Sequence, residues 1–150
     1  MSSLVRHYGT FTAARANLRG VLDAAREGLV TTVQREHERY VVLRADAFRR
    51  DLATLLPANA TVLAEGGGWS AVLPGVPVHG DADSFDGAVD DLVEALREYA
   101  EDWNVRLRRA PNHEGHRLLV ELVELSDDGQ LRDWILGRGP DGAPGPGATA

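Results

Sequence analysis

Cysteine and lysine are both missing from this chain of 150 residues. Without cysteine there is no disulfide, no thiolate metal site and no thiol nucleophile. Without lysine every fixed positive side chain is an arginine, whose planar fork suits bidentate contacts to phosphate or guanine; the same bias is also what a skewed genomic base composition produces. No apolar run approaches the roughly 18 residues that a membrane span needs. The opening MSSLVRHYGT has no apolar signal core, so the expectation is a protein that is not exported, does not enter a membrane and works in the cytoplasm. Several chemical signatures are absent as well. Gly66-Gly67-Gly68 is not embedded in the GxxxxGK[ST] pattern of a phosphate loop, and His113-Glu114-Gly115-His116 does not have the HExxH spacing of zinc proteases. Ser70, His79 and Asp81 could be drawn as a triad, but no GxSxG elbow surrounds the serine. No catalytic residue, no metal site and no cofactor is therefore expected, and the chain reads as a non-enzyme.

What is present is an ordinary globular composition, 43% hydrophobic and 26% charged, in a length that suits one domain or two small ones. The net charge of −7 conceals a division. Residues 1–60 carry nine arginines against six acids, a surplus of three positive charges, and residues 61–150 carry seven against seventeen, a surplus of ten negative ones. A basic head can neutralise phosphates; an acidic body repels nucleic acid and attracts a basic protein.

Along the chain, residues 1–10 read as loosely ordered. Phe11, Ala14, Leu18, Leu22, Ala25 and Leu29 recur in steps of three and four, which predicts one amphipathic helix capped by Thr10 or Thr12 and ended near Gly28. Arg15, Arg19 and Arg26 would share a stripe beside its apolar face. Val30–Gln34 and Arg39–Leu43 read as a hairpin, and Ala45–Leu56 as a helix with Phe48, Leu52, Leu55 and Leu56 on one side, stopped by Pro57. Thr61–Ala64 and Trp69–Leu73 are strand-like around the three glycines, and Val76–His79 suits a third strand after Pro74-Gly75. Ser84 caps the strongest periodic segment, Phe85 to Trp103, whose opposite face carries Asp86, Asp90, Asp91, Glu94, Glu98 and Glu101. Pro111-Asn112 opens a further helix with Leu118, Leu119, Leu122 and Leu125 inside. Ser126 or Asp127 caps the last one, with Leu131, Trp134 and Ile135 inside and Gly137 at its end. A glycine- and proline-rich tail at 138–150 reads as disordered.

The head has a helix, a hairpin, a second helix and arginines at Arg6, Arg15, Arg19, Arg35 and Arg39. Fifty residues with so little apolar surface are marginal alone. Two copies would bury more and would set two arginine groups across a two-fold axis, the symmetry of a palindromic operator. The plain alternative is a solvated charged face. The acidic helix face has the same two readings. Asp81, Asp83 and Asp86 crowd one helix start, where acids favour the dipole, although clustered carboxylates can also hold magnesium for nuclease chemistry.

Two stretches carry a family resemblance. FTAARANLRGVLDAA followed by VTTVQREHERYVVLRADAF, with its Ala14-Arg15-Ala16-Asn17-Leu18 core and Phe48 at the end, resembles the N-terminal domain of Phd/YefM-type antitoxins. The resemblance implies a homodimer that binds operator DNA through Arg15 in the helix, with Asn17 in the matching core, and through a basic residue at the hairpin. There an ungapped comparison places Gln34, with Arg35 one residue later, and His37 stands where the family has a turn glycine. WSAVLPGVPVHGDADSFDGAVDDLVEALREYAEDW is similar to HicB-type antitoxins, whose partial RNase H-like sheet and helix has no nuclease activity. RLRRAPNHEGH and LSDDGQLRDWILG resemble the C-terminal part of proteins labelled prevent-host-death.

The expected fold is thus α+β. It comprises a small Phd/YefM-like helix–hairpin–helix unit at 1–57, a HicB-like sheet-and-helix domain with C-terminal helices at 58–137, and the tail. The resemblances imply a type II antitoxin that dimerises, represses its own operon and masks a RelE-like or HicA-like ribonuclease. The expected DNA-binding residues are Arg6, Arg15, Asn17, Arg19, Arg35 and Arg39. The expected partner-binding residues are Trp69, Asp90, Glu94 and Glu98. A stand-alone transcriptional regulator, or a metal-dependent nuclease using Asp81, Asp83 and Asp86, are the competing readings.

Overall fold

The computed structural model describes residues 4–139. Its secondary structure is mixed, with six α-helices and two three-stranded sheets among the described residues. The chain divides into two compact units, Met1–Phe48 and Arg49–Ala150. The division falls within helix α3 (Ala45–Leu55), ahead of the boundary expected after Pro57. All but the first two residues of the expected disordered tail lie outside the described residues.

The first unit begins with a strand that the sequence reading missed. Strand β1 (Val5–Tyr8) lies parallel to β2 (Val30–Arg35), with Val5 opposite Val30 and Tyr8 opposite Val33. A parallel pair needs a long crossover, and here two helices supply it. They replace the single helix predicted from Phe11 to Leu29. Thr10 accepts the Ala13 N–H at 3.1 Å and caps α1 (Phe11–Ala16). Asn17 then leaves helical geometry (φ −125°, ψ 42°) before α2 (Leu18–Arg26) starts. The break re-aims the apolar residues. Val21, Ala24 and Ala25 are buried in α2, while Leu18 and Leu22, expected inside, are 58% and 55% exposed.

The hairpin matches its expectation. Strand β3 (Glu38–Val42) pairs antiparallel to β2, completing the order β1-β2-β3. Its turn holds Glu36 in the left-handed region (φ 55°), a conformation that costs a non-glycine residue roughly 1 kcal/mol. The Gln34 side chain braces it by donating to the Glu36 carbonyl at 3.0 Å. In α3 the buried side chains are Leu52 and Arg49, and Leu55, expected inside, is 71% exposed.

The second unit is an antiparallel sheet covered by helices. Strands β4 (Thr61–Glu65) and β5 (Gly68–Val72) meet at a tight turn where Gly66 and Gly67 both take positive φ (57° and 85°). That geometry favours glycine and twists with the strands. Strand β6 (His79–Ala82) completes the order β4-β5-β6. It starts where the predicted strand Val76–His79 ends. Proline at position 77 has no N–H to give a ladder, so Val76 and Val78 instead pack on the core from a loop.

Helix α4 (Phe85–Asp102) lies on the sheet, capped by Ser84, whose hydroxyl accepts the Gly87 N–H at 3.0 Å. It approaches β6 so closely that a Cβ at Gly80 would fall under 3.0 Å from the Ala88 carbonyl oxygen and the Leu92 nitrogen. The predicted stripe is largely as expected, with Ala88, Val89, Leu92, Leu96 and Tyr99 buried.

After α4 the chain widens into an underwound π-helical turn, Trp103–Leu107. Pro111-Asn112 does not open a helix. A turn and a short 3-10 segment, Glu114–His116, precede α5 (Arg117–Leu125). Its buried face is Leu119, Val120, Leu122 and Val123, and the expected Leu118 and Leu125 are each 38% exposed. Helix α6 (Asp128–Ile135) carries a full capping box between Asp127 and Gln130, buries Leu131 and Ile135, and ends before Gly137 (φ 68°). One continuous core joins sheet, α4, α5 and α6.

Candidate functional site

In the first unit, strand register decides which arginines share a face, because directly paired residues point to the same side of a sheet. Arg6 pairs with Thr31, so it shares a side with Val33 and Arg35 two and four residues along β2. The Arg35 guanidinium lies over the Phe11 ring, 5.3 Å from its centroid, a cation–π contact that holds the charge beside α1. Tyr8, two residues from Arg6, accepts a hydrogen bond from the Asn17 amide at 3.2 Å. Asn17 thus ties the helix break to the arginine-bearing side of the sheet. Arg15 closes α1 and Arg19 opens α2, both exposed. The continuous stripe expected for Arg15, Arg19 and Arg26 is interrupted at Asn17. Arg39 pairs with Gln34 and therefore faces the opposite side of the sheet from Arg6 and Arg35. That side also carries His7, hydrogen-bonded to Thr32. Gln34 spends its amide on its own turn.

In the second unit, Trp69 is half-buried. It sits on the helix-facing side of β5 opposite Ala82, with its ring edge-on to Phe85 at 5.5 Å. The acidic face of α4 is not uniform. Arg132 from α6 forms ion pairs with both Asp86 and Asp90, so Asp90 is already partnered inside the chain. Asp91 accepts the Asp81 backbone N–H at 2.9 Å, satisfying a donor of β6. Arg97 is anchored to Asp128 at 2.9 Å and to the carbonyls of Val123 and Ser126. Glu94 and Glu98 are exposed, and neither forms an ion pair among the described residues.

Three constellations weighed from sequence can now be placed. Ser70 donates to Asp81 at 2.8 Å, and His79 Nε2 lies 3.2 Å from the other Asp81 oxygen. The carboxylate stands between serine and histidine, whereas a nucleophilic triad needs the imidazole in the middle to take the serine proton. Among the described residues no group of three or more His, Asp or Glu is arranged to hold a metal ion, and Asp86 is held by Arg132. His113 and His116 each bring Nδ1 to the Tyr99 hydroxyl, at 2.9 and 2.6 Å, while Trp103 Nε1 donates to the His113 carbonyl at 2.9 Å. They fasten the loop to the end of α4. Burial pushes the Tyr99 phenol above its ordinary value.

A feature the sequence reading missed is an open groove of about 640 Å³ beside the second half of α4. Pro77, Val78, His79, Ala95, Tyr99 and Val105 line it, with Glu98, Glu101 and Asp102. Glu101 was visible as part of an acidic face and Tyr99 as part of a core stripe. Nothing in the sequence signalled the π turn that brings Val105 to the same place. No helix among the described residues is long and apolar enough to cross a membrane.

Residues 7–135 match the PHD-like family, described as antitoxin of toxin–antitoxin, RelE/RelB, TA system. A crystal structure from Syntrophomonas wolfei subsp. wolfei, described as an antitoxin part, is similar in fold. The TM-score is 0.69 at 21% identity, over 89% of this chain and 96% of that one. No curated protein matches the chain.

Proposed function

The chain belongs to the PHD-like family of antitoxins of toxin–antitoxin systems, and on that premise we propose that it is a type II antitoxin that acts without catalysis. It dimerises through its first unit, holds operator DNA there to repress its own operon, and neutralises a basic ribonuclease toxin of RelE-like or HicA-like kind by direct binding through its second unit in the cytoplasm. The first unit is read as Phd/YefM-like and the second, from β4 to α4, as HicB-like, with an unassigned pair of helices after it.

The observation that carries this reading is the coincidence, in the first unit, of exposed arginines with exposed large apolar side chains. Phe11, Leu18 and Leu22 are 48%, 58% and 55% exposed, and Tyr40 and Val41 are 46% and 55% exposed. Tyr40 and Val41 alternate across the sheet, whereas Leu18 and Leu22 lie one turn apart on α2 and form a contiguous apolar stripe suited to association. Arg6 and Arg35 on one side of the sheet, and Arg15 and Arg19 flanking Asn17, supply charge for phosphates. Arg39, on the other side, would reach DNA only if the duplex runs along the hairpin edge. In the second unit Glu94 and Glu98 remain free to meet a basic partner, and Trp69 adds apolar area at the end of the sheet. Asp90 is the weakest of the expected partner contacts because Arg132 already holds it.

The test is operator binding by the full chain across a salt series. Arg15→Ala should weaken binding and lower the slope of log K against log salt by roughly one contact. Unchanged affinity and slope would remove Arg15 from the DNA face.

A further inference from the structure

We propose that the groove beside the second half of α4 is the seat of a cationic segment of the toxin, one bearing arginine or lysine around a central aliphatic or aromatic side chain. This rests on the antitoxin reading above and gives it a place.

The floor and the rim of the groove argue for that occupant separately. Val78, Ala95, Tyr99 and Val105 make its apolar lining. Val105 is 79% exposed, the most exposed large hydrophobic side chain among the described residues, and the π turn holds it there. That turn is fixed from several sides. Trp103 donates to the His113 carbonyl, and Asn104 donates to the Ala100 carbonyl at 3.1 Å and to Glu124 at 2.6 Å. A π turn is a rare geometry that is frequent at functional sites, and here it closes the end of α4.

The rim is Glu98, Glu101 and Asp102. Glu98 and Glu101 form no ion pair among the described residues, whereas Asp86 and Asp90 at the other end of the helix are neutralised by Arg132. Asp102 is paired with Arg106 at 2.7 Å, which leaves Glu98 and Glu101 as the rim acids without an ion pair among the described residues. Unpaired acids that border an open apolar groove are suited to a positive partner. A second copy of this chain could enter only with its basic first unit, whose arginines the proposed function assigns to phosphates, and the mass of the chain alone separates that case.

The test measures association and dissociation rates of the full chain against one purified probe, the product of the reading frame beside its own gene. Glu98→Arg/Glu101→Arg should slow association about tenfold or more at low salt, with the difference shrinking as salt rises. Val105→Ser should act instead on the dissociation rate, raising it several-fold. Glu27→Arg/Asp51→Arg makes the same change in net charge at exposed residues outside the groove lining and should stay within about twofold of the parent. Circular dichroism checks that each variant is folded. If the parent chain does not bind the probe, direct neutralisation fails and the groove with it. If the parent binds and the groove variants bind alike, the groove is overturned and the antitoxin reading stands. Equal slowing by both charge reversals, or a groove variant that changes the mass of the chain alone, also overturns it.

Discussion

In the Met1–Phe48 unit the buried hydrophobic side chains among the described residues are Ala14, Val21, Ala24 and Ala25. The Arg49–Ala150 unit buries Leu73, Val89, Leu92, Val93, Leu96, Tyr99, Trp103, Leu119, Val120, Val123, Leu131 and Ile135 in one cluster. Of the first unit's large apolar residues among those described, only Val21 is fully buried and about half are exposed. The second unit closes its core around α4, while the first has a sheet and helices of good local geometry but keeps much of its apolar area facing out. Stability in the second unit comes from its own interior. In the proposed dimer a second copy supplies a substantial part of the first unit's stability. The same contrast holds for charge: the arginines of the first unit lie exposed, whereas in the second unit Arg97 and Arg132 are built into the fold as clamps between helices.

All three tryptophans, Trp69, Trp103 and Trp134, lie in the second unit, so tryptophan fluorescence reports on that unit's unfolding alone. The largest change is expected from Leu92→Ala, which empties a fully buried site and should cost about 3 kcal/mol in a urea transition followed by tryptophan emission. Gly80→Ala comes next. Its methyl group has backbone rather than side chain against it, so β6 and α4 must part, at about 2 kcal/mol. Either change leaving the transition in place would mean that the second unit is not held by α4 on its sheet.

Leu18→Ser/Leu22→Ser tests the other half of the comparison. Both residues are exposed in the single chain, so the tryptophan-detected transition should move by less than about 0.5 kcal/mol. The mass by sedimentation equilibrium should fall to that of one chain, and operator affinity should fall with it. A dimer of unchanged mass would show that the exposed stripe is not the association surface.

The smallest effect is alkaline. Burial raises the Tyr99 phenol, so the folded state binds the proton more tightly than the unfolded chain. The resulting stabilisation is fully present below a tyrosine's ordinary value near 10 and is lost as pH rises through the higher folded value. Tyr99→Phe should flatten that decline in the tryptophan signal. An equal decline in both proteins would assign it to other groups. Tyr40 in the first unit is raised chiefly by its hydrogen bond to Glu38, and its titration should leave the tryptophan signal unmoved.

Helix α4 was legible because sixteen or so residues of 3.6-residue periodicity follow a serine cap, and α6 because Asp127 and Gln130 stand at capping-box spacing. The hairpin β2–β3 and the glycine turn of β4–β5 were legible for the same local reason. Strand β1 was not, because VRHY carries no alternation of its own and becomes a strand only when β2, far along the chain, lies parallel to it. The helix break was hidden because the apolar steps of three and four run unbroken through Asn17. The groove was hidden because its floor joins a loop, a helix and a π turn.

Local rules therefore determined most of the elements, the division of charge between the two parts of the chain and the absence of thiol chemistry, since each depends only on which residues stand within a turn or two of one another. Tertiary structure alone decided that Leu18 and Leu22 point outward, that Arg39 parts company with Arg6 and Arg35, that Arg132 takes up Asp86 and Asp90, and that Val105 meets Glu98 and Glu101 at one groove. Each of these depends on strand register, a broken helix or a contact between distant segments, and nearest-neighbour chemistry carries no record of them.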